Sequence, residues 1–186
     1  MAMIQSAMME LGTGAPEFTL TDTVSEREMR LSDLRGEKGI LIMFICNHCP
    51  FVVHIQKALS ALGKDYHDSG MGIAAISAND VANYPDDSPD KMKATAKREG
   101  YTFPYLYDET QKVARAYGAE CTPDFFLFDG ELKCAYRGRF DDSRPGNSQP
   151  VTGADIRGAM DLLIAGESVP ASPQLPSIGC SIKWKS

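Results

Sequence analysis

Gly39-Ile-Leu-Ile-Met-Phe-Ile-Cys-Asn-His-Cys-Pro50 joins an unbroken apolar run to two cysteines and a proline. A run from Gly39 to Ile45 with no polar alternation is the pattern of a strand covered on both faces of a sheet. Directly after it, Phe51, Val52, Ile55, Leu59 and Leu62 recur at helical spacing, which predicts an amphipathic helix ended by Gly63 or Gly70. Gly72-Ile-Ala-Ala-Ile-Ser-Ala78 is a second apolar strand. Strand, helix and strand in this order predict a right-handed βαβ unit with a parallel sheet core.

Cys46-Asn47-His48-Cys49-Pro50 therefore falls where a strand hands over to a helix, the edge at which such sheets present their ligands. Asn47 predicts the helix N-cap and Pro50 fits the first turn, so both sulfurs stand at the positive end of the helix dipole, which lowers a thiol pKa. Two cysteines three residues apart on one turn can shuttle between dithiol and disulfide without unfolding. On this reading Cys46 is the exposed nucleophile and Cys49 resolves. His48, when protonated, favours the thiolate and makes the disulfide a better oxidant than a typical thioredoxin. A zinc site would need four ligands, and Cys121, Cys134, His54 and His67 do not supply a second close pair. No metal is expected, and no cofactor beyond a redox-active Cys46–Cys49 disulfide.

Working outward, Ala15–Leu20 and Glu28–Leu31 flank a polar stretch and predict a small hairpin or extended entry segment. Ser88-Pro89-Asp90 opens a helix that runs to Glu99 and stops at Gly100. A brief strand near Pro104–Tyr107 precedes a short helix opened by Asp108–Gln111 and closed by Gly118. Phe125–Phe128 and Leu132–Tyr136 flank Asp129-Gly130 as a hairpin with a two-residue turn. Thr152 and Asp155 cap a last helix to Ala165; beyond it, Pro170, Pro173 and Pro176 keep most of the final stretch irregular.

The chain has 186 residues, 43% of them hydrophobic and 24% charged, which predicts one globular domain over 1–186, with tails at 1–13 and 167–186. A net charge of −6 with dispersed Lys and Arg gives no footprint for nucleic acid or anionic membrane. No apolar run approaches the roughly 18 residues of a membrane span, and Met1–Glu10 lacks the pattern of a secretory signal, so a cytoplasmic location is expected. Five unevenly spaced cysteines, Cys46, Cys49, Cys121, Cys134 and Cys180, argue against a secreted disulfide framework and for redox chemistry in a reducing compartment.

These residues resemble the thioredoxin-like redoxin superfamily, in its TlpA-like and alkyl hydroperoxide reductase/thiol-specific antioxidant branch. Gly14-Ala-Pro-Glu-Phe18 with Leu20, Asp22 and Leu31-Ser-Asp-Leu34 looks like that family's entry hairpin, followed by the Cys-Asn-His-Cys-Pro segment. Cys121-Thr-Pro-Asp-Phe-Phe-Leu-Phe-Asp129 is similar to its Thr-cis-Pro segment and next strand. The resemblance implies an α/β thioredoxin fold with an N-terminal hairpin, a central mixed sheet flanked by helices and an irregular C-terminal tail. It also implies a cis Pro123, with Thr122 opposite the Cys46 sulfur and its backbone free to pair with an extended substrate chain.

Departures bear on activity. The peroxidase pattern Pro-x-x-x-Thr-x-x-Cys, aligned on Cys49, meets Ile42 and Cys46 instead of Pro and Thr, and Arg137 or Arg139 would have to replace that pattern's arginine. The thioredoxin Trp and buried Asp positions hold Ile45 and Ile40. The expected activity is thiol-disulfide exchange on a disulfide-bearing protein or small thiol, with electrons from a reductase or thiol donor. A thiol peroxidase using the same cysteines and a non-enzymatic redox sensor are the alternatives. Cys121 adjoins the Thr-Pro pair, Cys134 reads as core, and Cys180 reads either as an extra resolving thiol or as an anchor beside Trp184.

Overall fold

The computed structural model describes residues 3–186. Its first half contains β1 (Met3–Gln5), β2 (Thr19–Asp22), β3 (Glu28–Arg30), α1 (Leu31–Leu34), β4 (Gly39–Phe44), α2 (Pro50–Asp65), β5 (Met71–Ser77) and α3 (Pro89–Glu99). Then come β6 (Tyr105–Tyr107), α4 (Lys112–Tyr117), β7 (Cys121–Thr122), β8 (Asp124–Asp129), β9 (Cys134–Gly138), α5 (Ala154–Ile164) and β10 (Ile178–Ser181). A short 3-10 turn, Pro85–Asp87, precedes α3.

β4 is buried along its whole length, and its side chains alternate between two cores. Leu41 and Met43 pack with Val52, Ile55, Leu59 and Leu62 of α2 and Ile156 and Met160 of α5. Ile40, Ile42 and Phe44 pack with Leu31, Tyr117, Phe126 and Phe128 on the other face. Each such fully buried aliphatic or aromatic side chain contributes roughly 1.5–3 kcal/mol, which fixes β4 and hence the position of the cysteines at its end.

The sheet is mixed. β4 pairs antiparallel with β8, from Gly39 opposite Asp129 to Phe44 opposite Asp124, and β8 pairs antiparallel with β9. On the other side the order is β3-β2-β6-β5, with β5 and β6 parallel and β2 antiparallel to both its neighbours. The two sets meet where the Ile45 N–H donates to Ile76 O at 3.0 Å. This is the mixed sheet that the resemblance implies, with the hairpins supplying antiparallel neighbours to the parallel β5–β6 pair.

Several boundaries move for identifiable reasons. α2 passes through Gly63, where a Cβ would stand 2.6 Å from Thr102 Oγ1 and 2.9 Å from Phe103 Cδ1, so that glycine serves close packing and the helix ends at Tyr66. The β8–β9 connection is longer than two residues. Asp129 Oδ1 accepts the Glu131 and Lys133 N–H groups at 2.9 and 3.0 Å, and Leu132 takes a positive φ of 59°. At α5, Asp141 Oδ2 accepts the Thr152 and Gly153 N–H groups, and Thr152 Oγ1 accepts the Ala154 N–H at 3.2 Å, so Asp141 joins the expected Thr152 at the helix start.

The terminal segments are more ordered than expected; residues 1 and 2 of the first lie outside the described residues. β10 lies between β1 and β7, antiparallel to both, with Cys180 opposite Met3 on one side and Thr122 on the other. The chain after it is tied down by Asn79 Oδ1, which accepts the Lys183 N–H at 2.9 Å, and by Arg115, stacked over Trp184 at 4.3 Å. A four-residue strand behind three prolines carries too little periodicity to announce itself. No described helix is long and apolar enough to cross a membrane.

Asp124, at the start of β8, is fully buried; its Oδ1 accepts the Phe125 N–H and its Oδ2 lacks an aligned partner. Burial pushes its carboxyl from the usual 3.8 up to about 7, outweighing nearby hydroxyl and N–H groups. A raised folded-state pKa gives stability that is complete below the unfolded value and lost as pH rises through the folded one. Denaturation midpoints should therefore fall between about pH 4 and pH 7, and Asp124→Asn should remove roughly 2–4 kcal/mol of that loss. Parallel profiles for the two proteins would refute the assignment.

Candidate active site

α2 begins at Pro50 with Cys49 as its N-cap, in extended conformation, so the cap falls two residues later than Asn47. Asn47 instead pins the loop: its N–H donates to Asp87 Oδ1 at 2.8 Å, its Nδ2 donates to Asp86 O, and its Oδ1 accepts from the Tyr105 hydroxyl. Pro50 occupies the first helical position, where its missing N–H costs nothing.

Both sulfurs converge on Thr122. Cys46 Sγ is 3.5 Å from Thr122 Oγ1, and Cys49 Sγ is 3.2 Å from Thr122 O. The Thr122–Pro123 bond is cis, as the resemblance implies. Two expectations are corrected here. Cys46 is 2% exposed and Cys49 1%, so neither is an exposed nucleophile. The Thr122 backbone is not free, because β10 already pairs with it.

The pair shares a proton. The Cys46 thiol beside it, followed by Cys180, the Val52 N–H and Thr122, holds Cys49 well below the ordinary thiol range despite burial. The same contact with Cys49, burial and the negative charge of Asp87 push Cys46 well above it. The first proton therefore leaves early and the second late, with the resting thiolate on the sulfur at the helix start.

His48 lies with Nδ1 2.7 Å from Asp87 Oδ2, a close contact not aligned as a hydrogen bond, and stacks on Tyr84. It faces Asp87, and the groups that foremost stabilise the thiolate are those around Cys49. Asp87, which the sequence reading missed, is completely buried; besides Asn47 it accepts from Asn79 Nδ2 at 2.8 Å. Cys46, His48 and Asp87 bring ligand atoms within 4.8 Å of one another, a set able to hold a divalent ion only in competition with Asn79 for Asp87 Oδ2.

The remaining candidates separate. Cys121 is fully buried, and burial followed by Asp124 pushes its thiol far above the ordinary range, so it carries no thiolate at neutral pH. Cys134 belongs to the opposite core, its thiol raised to about 11 by burial. Cys180 shares the core of Cys46 and Cys49, whereas Trp184 packs on the other face, so Cys180 is not packed beside Trp184. Arg139 binds Asp155 and Asp142, and Arg137 binds Met9 O and Gln174, so neither guanidinium is turned to the sulfurs as the peroxidase pattern requires. Arg139 does line a cavity of about 240 Å³ with Phe51, Ile55, Pro123 and Phe125, beside the start of α2.

A helix-start dithiol held against a cis-proline segment on a mixed sheet defines a thioredoxin-fold redox protein. The chain belongs to the AhpC/TSA family, whose pattern spans residues 11–137. It is 34% identical to the thiol-disulfide oxidoreductase ResA of Geobacillus kaustophilus (strain HTA426) over 125 residues, 66% of this chain and 67% of that one. It superposes with a TM-score of 0.97 on the crystal structure of an uncharacterized conserved protein from Geobacillus kaustophilus, at 55% identity over 100% of this chain and 97% of that one. The thioredoxin domain of the thiol-disulfide oxidoreductase BVU-2223 from Bacteroides vulgatus, at 20% identity and a TM-score of 0.59 over 74% of this chain and 91% of that one, has the same fold.

Removing the Cys46 thiol should raise the Cys49 pKa, since Cys46 is the largest influence holding it down. Titration of thiolate ultraviolet absorbance should show one early and one very late step in the wild type, and a single intermediate step at Cys49 in Cys46→Ala. An unchanged early step in that variant would refute the shared proton.

Proposed function

We infer that the protein is a thiol-disulfide oxidoreductase whose working pair is Cys46 and Cys49. The observation that carries this reading is the convergence of both sulfurs on Thr122. The Cys49 thiolate takes the Cys46 proton as Cys46 attacks a substrate disulfide, forming a Cys46–substrate bond and expelling one substrate thiolate. The attacking species is a thiolate, so Cys46 becomes competent only as its proton passes to Cys49 within the coupled pair. Cys49 then attacks Cys46 Sγ, forming Cys46–Cys49 and releasing the second substrate thiolate, which recovers the proton. Two electrons have passed to the substrate, and a reductase or thiol donor returns them by the reverse exchange.

Disulfide-bearing proteins are the substrate class, and the cavity beside Phe51 and Pro123 suits an apolar side chain next to the substrate disulfide. The dithiol is the cofactor, and Thr122 positions both sulfurs. Asp87, held by Asn47 and Asn79, keeps the Cys46 proton in place until Cys49 accepts it. The peroxidase reading is less supported, because no arginine is offered to the sulfurs among the described contacts.

Cys49→Ser should stop turnover and trap the substrate as a mixed disulfide on Cys46, readable by intact-mass and peptide mapping; trapping elsewhere would assign the nucleophile differently. Because the stabilised thiolate belongs to the reduced form, equilibration with glutathione should give a potential above the about −270 mV of thioredoxin. A value at or below that figure would remove the electrostatic part of this reading.

A further inference from the structure

β10 occupies the place that an extended substrate would take. It runs antiparallel to β7 with Cys180 opposite Thr122 and Ser181 opposite Cys121. Thr122 is also the residue on which the two active sulfurs converge, through its hydroxyl and its carbonyl. The approach is close because Gly179 has no side chain: a Cβ there would stand 2.1 Å from Thr122 O and 2.7 Å from Thr122 C. Cys180, 5% exposed, joins Cys46 and Cys49 in one core and stands beside Cys49. A third thiol is thus held against the dithiol by strand pairing on both sides.

We propose that Cys180 is a third redox thiol, which takes over the Cys49 half of the Cys46–Cys49 disulfide. The proposal rests on the dithiol reading above. Cys180 gives up its proton and attacks Cys49 Sγ; the Cys49–Cys180 bond forms as Cys46–Cys49 breaks, and the departing Cys46 thiolate takes the proton. No electrons are gained or lost, and no further reactant is required. The exchange leaves the oxidising equivalent between α2 and β10 while Cys46 is again a free thiol. Cys121, next to Thr122 in sequence, turns its thiol to Pro123 O at 3.7 Å.

The test oxidises the reduced full chain with one equivalent of oxidised glutathione, quenches in acid, alkylates and maps disulfides by mass spectrometry. The wild type should contain Cys49–Cys180 alongside Cys46–Cys49, and Cys180→Ser should lose the first bond and keep the second. In Cys46→Ala, the glutathione adduct on Cys49 should be displaced by Cys180, with loss of the Cys180 thiol from alkylation. A wild type holding only Cys46–Cys49 overturns the proposal whatever the variants do. A wild type and Cys180→Ser that both fail to form Cys46–Cys49 overturn the dithiol reading itself. Should Cys46→Ala fail to fold, the wild-type map decides alone.

Discussion

Thr122 is gripped from three directions, and the site exists because of that grip. Its hydroxyl meets Cys46, its carbonyl meets Cys49, and its backbone is paired with Cys180. None of these contacts is worth more than about 1–2 kcal/mol alone. They hold because both partners arrive on rigid elements. β4 is fixed by two cores on its two faces, and β8 carries the cis-proline segment in continuous register with β4 from Gly39 to Phe44. A strand buried on one face could slip or twist; one buried on both delivers the first sulfur to a fixed point.

Placing two thiols in a nearly dry pocket creates an electrostatic problem. Burial disfavours every thiolate, and Cys121 and Cys134, the second offset only by Arg137, both stay protonated. Cys49 escapes because it sits at the start of α2 among donors: the Cys46 thiol, Cys180, the Val52 N–H and Thr122. Cys46 is pushed the other way by its contact with Cys49, by burial and then by the charge of Asp87. The same surroundings thus pull two sulfurs of one motif in opposite directions, so that they titrate as one coupled pair.

How much of this could be read from sequence follows from the range of the interactions. The β4 run, the helix after it and the strand-to-helix position of the cysteines were legible because they are local and periodic. Pro123 was legible through its resemblance to a known segment. Asp87 was not, because it reaches Asn47 from 40 residues away and in sequence looks like one more acid ahead of the Ser88-Pro89 helix start. Its one signal was its place in the loop that follows β5, on the ligand-facing edge of the sheet. β10 was missed because Ile178-Gly-Cys-Ser181 is short and follows three prolines. Asn47 was misplaced as a cap because propensity favours Asn there, whereas the buried carboxylate of Asp87 competes for its backbone N–H and wins.

The missed residues belong to one network, and Asn79 is its centre. Its Nδ2 donates to Asp87 Oδ2 at 2.8 Å, and its Oδ1 accepts the Lys183 N–H, just past β10, at 2.9 Å. One buried amide at the end of β5 thereby joins the carboxylate facing Cys46 to the strand that carries Cys180. Each amide group has one job, so neither bond can be lost without stranding a buried polar atom, a cost of about 1–3 kcal/mol. Asp87 and the chain just past β10 are accordingly held by the same side chain. That link explains why a C-terminal segment with so little periodicity of its own is nonetheless built into the site.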